Sequence, residues 1–425
     1  MSAPRRRSSV LVFSSVTISK LISTCAVVIL LLATLAACST QQNSNNVTQA
    51  GPIVIGASIA NSGDFSADGK PTQQGYQLWA DNINKQGGLL GRQVRLDLVN
   101  DNSTPEGVTT AYQKLINVDH VDLVVGPFAD LTAVAAAKVA HRSGYALIEG
   151  SGTAVAVFQQ GLDNIFSVSL SAKNYMVSFA EYILALPANM RPKTAAYSSQ
   201  DDPFLVPQLD AARSLLENGG IKTVLNEKYP AETSDYTPFA QKVIASGADL
   251  VMLGTFTPDS IAYVKAFKQQ HYNPKALIAA SGPDQGDQFT KPIGGVKVAE
   301  GIFVPNGGWY AGINTFQNDQ FQKDYIAKYG GTAADISSDT VQAYSVMQVL
   351  TQAANKIHSI DNAKLIQELR SDSFDTLQGP VKFTPDGQNS TAVAFLFQWQ
   401  NGNLIPVYPQ DHAQANPEFP KPPWQ

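Results

Sequence analysis

The stretch LVVGPFADLTAVAAAKVAHRSGYALI, residues 123–148, contains the pattern that decides the fold class. Residues 123–125 form a short apolar run without polar interruption, which is typical of a strand covered on both faces of a sheet. Residues 133–139 follow with the small apolar composition of a buried helix, and residues 146–148 are a second apolar run. This strand–helix–strand order predicts a β-α-β unit with parallel strands.

The same alternation extends outward from this unit. Residues 53–57 and 94–99 precede it as strand patterns, each followed by apolar residues at helical spacing, and a second series of strands and helices runs over residues 193–280. Two such series predict an α/β fold of two doubly wound parallel-sheet lobes. Near the end, Asn401-Gly402 between two apolar runs predicts a β-hairpin.

Length and charge narrow the class of protein. A chain of 425 residues is long enough for two domains of ordinary size. Its formal net charge is -5, and its basic cluster, Arg5-Arg6-Arg7, lies at the extreme N-terminus. This distribution offers no positively charged face for a nucleic acid, so we expect no nucleic-acid partner.

The chain carries none of the common catalytic or cofactor motifs. Its five His residues show no metal-ligand spacing, and Gly150-Ser151-Gly152 lacks the Gly-x-Ser-x-Gly frame of a nucleophile elbow. A phosphate-binding Gly-x-x-x-x-Gly-Lys segment is also absent. The sequence therefore favours a binding protein over an enzyme, with no cofactor and no metal.

The N-terminus has the pattern of an export signal. Basic residues precede a nearly unbroken apolar run over residues 21–37, and the run ends in Leu35-Ala36-Ala37-Cys38, which resembles a bacterial lipobox. We predict a signal peptide over residues 1–37, acylation of Cys38, and a flexible tether over residues 38–50, so that a lipid anchors the protein outside the cytoplasm, in a periplasm or at a cell surface. The alternative is a plain membrane anchor.

Several short motifs follow one another at characteristic spacing: residues 53–58, Ser62-Gly63, Gly75, the segment NINKQGGLLGR at 82–92, Asp101 with Thr104-Pro105, Val125-Gly126-Pro127, Asp202-Pro203-Phe204, Gly282-Pro283, Glu300-Gly301 and residues 379–383. Their order and spacing resemble the leucine/isoleucine/valine-binding family of ABC-transporter substrate-binding proteins, which have the type I periplasmic binding protein fold.

The resemblance implies an architecture and a function. Lobe 1 comprises residues 51–168 and 307–376, lobe 2 comprises residues 169–306 and 377–408, and residues 409–425 form a Pro-rich tail. A small ligand, an amino acid or a similar molecule, binds between the lobes, which close over it by hinge bending. The partner is an ABC permease in the membrane, and we expect a monomer. A sensor of the same fold that signals to a membrane receptor is the alternative.

Ligand contacts are expected in loops that follow strand ends. The candidate contact residues are Ser62, Asp68, Phe128, Asp130, Ser151, Thr153, Phe204, Phe256, Asp284 and Trp309.

The resemblance assigns roles to some of these residues. It implies that the Ser151 carbonyl and the Thr153 hydroxyl meet the amino and carboxylate groups of the ligand, and that Asp284 meets the ammonium group. Phe204 and Phe256 stand where the family has pocket aromatics. The alternatives are a Gly-rich turn that only starts a helix, a solvated acid, and two core aromatics.

Asp130 departs from the family pattern, because a carboxylate here repels a ligand carboxylate. One interpretation is that Asp130 caps its helix and the ligand is a branched-chain or similar amino acid. The other is that the ligand presents a cation, an amide or a hydroxyl at this point. That second interpretation favours a basic amino acid, an amide or a polyamine, with Phe204 and Phe256 against its stem or cation.

Overall fold

The structure, a computed structural model, describes residues 51–425. The predicted signal peptide, the acylation site Cys38 and the whole predicted tether over residues 38–50 lie outside the described residues. Within residues 51–425, no helix has both the length and the apolar character needed to cross a bilayer.

The first sheet is wholly parallel, with strand order β2-β1-β3-β4-β5. Its short apolar strands are buried on both faces, as the uninterrupted runs of the sequence predict. The strands are β1 (Ile53–Ile59), β2 (Val94–Asn100), β3 (Leu123–Val125), β4 (Leu147–Glu149) and β5 (Ile165–Ser167).

The second sheet is mixed, with strand order β14-β13-β10-β9-β8-β6-β7. Strands β6 to β10 are parallel to one another, and the antiparallel β13 and β14 form the hairpin that Asn401-Gly402 predicts. The strands are β6 (Thr194–Gln200), β7 (Lys222–Tyr229), β8 (Leu250–Gly254), β9 (Ala276–Ala279), β10 (Phe303–Asn306), β13 (Phe395–Gln400) and β14 (Asn403–Tyr408).

Helices connect the strands and cover both sheets, so the predicted α/β fold with two parallel-sheet lobes is confirmed. They are α1 (Ser66–Lys85), α2 (Pro105–Asn117), α3 (Asp130–Arg142), α4 (Val155–Phe158), α5 (Val177–Ala185), α6 (Leu205–Asn218), α7 (Thr237–Ser246), α8 (Thr257–Gln269), α9 (Asp287–Ile293), α10 (Val296–Ala299), α11 (Asn318–Tyr329), α12 (Ser338–Ile357) and α13 (Asn362–Ser371), with short 3₁₀ turns at Ala172–Asn174 and Ala333–Asp335.

The packing of α12 on α1 brings distant parts of the chain to the same edge of the first sheet. The helices approach so closely that a Cβ atom at Gly75 would lie 2.3 Å from the Thr340 carbonyl oxygen, which explains why position 75 is glycine. Asp68 in the first turn of α1 and Asp339 in the first turn of α12 are therefore neighbours across this contact.

A two-stranded hairpin, β11 (Ser373–Thr376) and β12 (Gly379–Lys382), lies against the first sheet. Val381 on β12 and Phe383 after it belong to the hydrophobic core that contains β1 and α12. The lobe boundary predicted at residue 377 falls in the turn of this hairpin. We therefore propose that the third crossing between lobes follows Phe383 and precedes β13.

Candidate functional site

A cavity lies between the carboxyl ends of the two sheets, where open α/β sheets bind ligands. About 820 Å³ of space outside protein atoms lies within it, including open solvent at its mouth. Its wall includes these candidate contact residues: Asp68, Phe128, Asp130, Ser151, Thr153, Phe204, Phe256 and Asp284.

Two candidate residues lie elsewhere. The Ser62 hydroxyl donates to Asn102 Oδ1 at 2.7 Å in the loop after β1, away from the cavity wall. Trp309 is 6% exposed and belongs to the hydrophobic core that contains β1 and α12, where its Nε1 donates to Asn318 Oδ1 at 2.8 Å. Both side chains are occupied by contacts that position loops, so neither is placed against a ligand in the cavity.

The loop after β3 supplies Phe128 and Asp130. Asp130 is the first residue of α3, but its Oδ1 accepts the backbone N–H of Ala154 at 2.5 Å, and no side chain caps this helix at Ala129. The interpretation of Asp130 as a cap of its own helix is therefore wrong. The carboxyl group instead joins the loops after β3 and β4, and it lines the cavity.

The loop after β4 supplies Ser151 and Thr153, just before the short helix α4. The Ser151 hydroxyl donates to the Pro127 carbonyl oxygen at 3.2 Å. Thr153 is 2% exposed, and its Oγ1 has no hydrogen-bond partner among the described residues. A buried hydroxyl without a partner costs free energy, so Thr153 Oγ1 is available to a bound molecule.

The loop after β6 supplies Asp202 and Phe204 from the second sheet. Asp202 Oδ1 accepts the N–H groups of Phe204 at 2.7 Å and Leu205 at 3.2 Å, which fixes the turn that starts α6. The Phe204 ring meets the Tyr175 ring edge-on with centroids 5.3 Å apart. Phe204 also packs against buried apolar residues, so it belongs to both the cavity wall and the core.

The loop after β9 supplies Asp284. Its Oδ1 accepts the Gly282 N–H at 2.9 Å, and its Oδ2 accepts the Gln285 side-chain amide at 3.3 Å. Gly282 has a φ of 100°, a left-handed conformation that favours glycine. The Gly282-Pro283 motif thus turns the chain sharply enough to hold Asp284 at the cavity wall.

Aromatic rings from both sheets meet at the cavity. The Phe65 ring packs edge-on against Phe128 at 5.6 Å and against Phe256 at 6.2 Å between centroids. Phe65 follows the first strand of the first sheet, whereas Phe256 follows β8 of the second. This contact therefore spans the cleft between the two sheets.

Several wall residues were missed by the sequence analysis. Asp202 stood inside a motif that was noticed only for Phe204, and Asp339 begins a helix that does not follow a strand, so the search of strand-end loops passed over it. The missed wall residues include Phe65, Tyr175, Asp202 and Asp339.

Five carboxyl groups line the cavity. Among residues 51–425, no Lys, Arg or His lines it, and none of these five acids forms an ion pair. Acids this poorly solvated normally have paired charges. The five are Asp68, Asp130, Asp202, Asp284 and Asp339.

Burial is the largest cause that raises the pKa of every one of these acids. Burial and the charge of Asp284 raise the pKa of Asp68 to about 7. Burial, followed by the charges of Asp68 and Asp284, raises the pKa of Asp339 well above its usual value. Burial is also the main cause that raises the pKa values of Asp130, Asp202 and Asp284.

A sixth acid supports the wall from behind. Glu149 ends β4, is fully buried, and accepts the N–H groups of Ser151 at 3.0 Å and of Gly152. Burial raises its pKa to about 7 despite these bonds. Glu149 therefore shapes the loop that carries Thr153.

Comparison with known proteins places this geometry in context. A family model described as "Periplasmic binding protein" matches residues 52–403. Leu/Ile/Val-binding protein homolog 7 of Brucella melitensis is 26% identical over 387 residues, which cover 87% of this chain and 94% of that protein. Leu/Ile/Val-binding protein homolog 8 of Brucella abortus is 24% identical over 384 residues, with 87% and 93% covered.

Solved structures share the fold. A branched-chain amino acid transporter substrate binding protein from Streptococcus pneumoniae, in complex with isoleucine, has a TM-score of 0.72 at 19% identity and covers 83% of this chain and 97% of its own. A solute binding protein from R. palustris, in complex with benzoate, has a TM-score of 0.70 at 18% identity, with 84% and 96% covered. One shared architecture thus accommodates ligands as different as isoleucine and benzoate.

Proposed function

Because the chain belongs to the periplasmic binding protein family, we propose that it is the extracytoplasmic substrate-binding component of an ABC importer for a small molecule of the amino-acid type. Proteins of this family bind substrates and are not enzymes, in agreement with the prediction from the sequence. The cavity is the proposed binding site, and a membrane permease is the proposed recipient of the ligand.

One observation carries this proposal. The cavity takes its wall from loops at the carboxyl ends of both sheets, with Asp130 and Thr153 on one side and Phe204 and Asp284 on the other. A ligand held by both sides stabilises the closed arrangement by its differential affinity for that arrangement. Contacts divided in this way support capture by hinge closure.

The location of the protein is part of the proposal. The apolar run that ends at Cys38 supports export followed by acylation, and acylation tethers the folded body to a membrane surface. If Cys38→Ser is produced in a bacterial host, we expect it to leave the membrane fraction or to remain unprocessed. Unchanged membrane fractionation with the same mature mass contradicts the lipid anchor.

The experiment that tests the binding function is mass spectrometry of the small molecules released when the purified protein is denatured. We expect one species in near-stoichiometric amount, and we expect it to raise the Tm of ligand-free protein on re-addition. Small-angle scattering should show a more compact protein with this species than without it. A released species that on re-addition changes neither the Tm nor the scattering contradicts the proposed function.

A further inference from the structure

The charged groups of the cavity wall restrict the class of ligand more narrowly than membership of the family does. A zwitterionic amino acid needs one anionic partner for its ammonium group and donors for its carboxylate. This wall carries five carboxyl groups, and no Lys, Arg or His from residues 51–425 joins them. A free carboxylate on the ligand therefore finds no cationic partner in this wall, whereas an ammonium group finds several carboxyl groups.

The charges that act between the acids define two groups, and Tyr175 lies near members of both. Asp68, Asp284 and Asp339 influence one another, because the charge of Asp284 raises the pKa of Asp68 and both raise that of Asp339. Asp130 and Asp202 form the second group, since the charge of Asp202 contributes to the raised pKa of Asp130. The first group joins α1, α12 and the loop after β9, and the second joins the loops after β3 and β6.

These acids do not form a metal site. Across the described part of the chain, no three His, Cys, Asp or Glu side chains converge closely enough to hold a metal ion. The five acids lie on separate elements of the wall, α1, α12 and the loops after β3, β6 and β9. An extended organic cation matches this distribution better than a point charge.

Two further features of the wall point to an amine. Thr153 belongs to the cavity wall and is 2% exposed, and its Oγ1 has no hydrogen-bond partner within residues 51–425, so it offers an acceptor to an ammonium N–H. The rings of Phe65, Phe128 and Phe256 also face the cavity, where aromatic faces attract cations and pack on methylene groups.

We propose that the cavity selects an aliphatic di- or polyamine that lacks a carboxylate, with one ammonium group between Asp68, Asp284 and Asp339 and another beside Asp130, Asp202 and Thr153. This inference rests on the proposed function, because it names the ligand class of the same site. It keeps the proposed capture of a small molecule in this cavity and replaces the amino-acid type of ligand, whose carboxylate would lie beside Asp130.

Calorimetric titration of ligand-free full-length protein tests the inference directly. The probes are spermidine, putrescine, leucine, benzoate and 1,4-butanediol, which has the length of putrescine without its charges. We expect spermidine and putrescine to bind at least about 100-fold more tightly than leucine or benzoate, and butanediol to give no heat. Binding of the amines should weaken as the salt concentration rises.

The outcomes separate this inference from the proposed function. Leucine or benzoate binding more tightly than both amines overturns the amine class and leaves the binding function intact. Equal affinity for putrescine and butanediol overturns the role of charge. Failure of every probe overturns the amine class as well, and release of another small molecule on denaturation would then still support a binding protein.

A matched pair of variants locates the charge. Asp339→Asn keeps the size of the side chain and removes one of the cavity carboxylates, so we expect a loss of about 10- to 100-fold in affinity for spermidine. Asp287→Asn makes the same change three residues after Asp284, at a surface acid paired with Lys291 at 2.8 Å. We expect less than about a twofold change for this control. If Asp339→Asn and Asp287→Asn lose the same affinity for spermidine and both keep the Tm of the unchanged protein, the proposed position of the ammonium group is overturned.

Discussion

Acids at the two edges of the second sheet differ in their charge partners and in the direction of their pKa shifts. At the amino edge, Asp249 precedes β8, forms an ion pair with Lys275 at 2.9 Å, and accepts the Lys193 N–H at 2.9 Å. At the carboxyl edge, Asp284 follows β9 and faces the cavity without a cationic partner among the described residues. Partial burial acts on Asp249, yet its hydrogen bonds and Lys275 hold its pKa below the usual value, whereas burial raises the pKa of Asp284.

The difference indicates that Asp249 stabilises the fold, whereas Asp284 is positioned to bind a ligand. Asp249 has its counter-charge within the protein, so its ionised form stabilises the folded state. Asp284 and its neighbours are kept near one another at a cost in folding free energy. In the proposed function, a ligand supplies the missing positive charge and offsets that cost.

The largest loss of spermidine affinity is expected when a lysine side chain places a positive charge inside the cavity. In Asp284→Lys, an attractive charge is lost and a repulsive one is gained, each about 3 kcal/mol at 5 Å with an effective dielectric near 20. We expect affinity for spermidine to fall by about 1,000-fold or more in calorimetry. The ligand-free Tm should stay constant or rise, because the new ammonium group faces Asp68 and Asp339.

The same change at the amino edge sharpens the contrast. Asp249→Lys places two ammonium groups together at Lys275, so we expect a lower Tm and unchanged affinity for spermidine. If Asp284→Lys instead unfolds the protein, or if it binds spermidine as the unchanged protein does, the two edges do not differ as proposed.

The next effect concerns pH. Asp339 faces Asp68, Asp284 and the Ser337 hydroxyl, and its pKa is raised in the folded protein. The folded state therefore holds more protons than the unfolded state above about pH 4, and this contribution to stability is lost as the pH rises through the folded pKa. We expect ligand-free protein to lose a few °C of Tm between pH 5 and pH 8, and to regain them with spermidine, which binds the ionised acids.

Asp339→Asn is the control for the pH effect, because an amide has no proton to lose. Its Tm should fall less over the same pH range than that of the unchanged protein, measured by differential scanning calorimetry without ligand. A slope identical in the two proteins means that the cavity acids do not govern the pH dependence.

Sequence reasoning reached the fold and much of the site through local patterns. Uninterrupted apolar runs such as residues 123–125 predicted buried parallel strands, and Asn401-Gly402 predicted the hairpin of β13 and β14, because both signals lie within a few residues. Thr104 of the Thr104-Pro105 motif caps α2, and its Oγ1 accepts the Gly107 N–H at 3.0 Å. The strand-end loops then gave Asp130, Thr153 and the other wall residues of that kind.

The remainder depended on contacts that no local pattern records. Asp339 reaches the cavity because α12 packs on α1, a contact between residues more than 250 positions apart. Trp309 looks like a cleft aromatic, but Asn318 nine residues later binds its Nε1 in the core. For Asp130, the competing donor to its side chain is the Ala154 N–H, which becomes a neighbour only when β3 and β4 pair.

A smaller effect, on the free energy of unfolding, is expected when Asp249 at the amino edge is neutralised rather than reversed in charge. Asp249→Asn removes the ion pair with Lys275 and keeps a hydrogen-bond acceptor for the Lys193 N–H. We expect the free energy of unfolding to fall by about 1 kcal/mol, because the pair is partly exposed. Denaturant unfolding measures this change, and spermidine affinity should be unaltered. A loss of affinity would show that this edge also contributes to the site.

The smallest effect isolates the unpartnered hydroxyl of Thr153. Thr153→Val keeps the shape of the side chain and removes Oγ1, so we expect up to about a tenfold loss in affinity for spermidine, the value of one hydrogen bond. Because that hydroxyl has no partner in the described residues, the ligand-free protein should keep its stability or gain slightly. Thr376→Val is the matched control, since the Thr376 Oγ1 is equally buried but donates to the Gly379 carbonyl oxygen at 2.8 Å and accepts the Gln378 N–H at 3.1 Å. That variant should lose about 1 to 2 kcal/mol of stability and no affinity. If Thr153→Val loses stability instead of affinity, its hydroxyl serves the fold, and the division between structural and ligand-facing polar groups fails at this position.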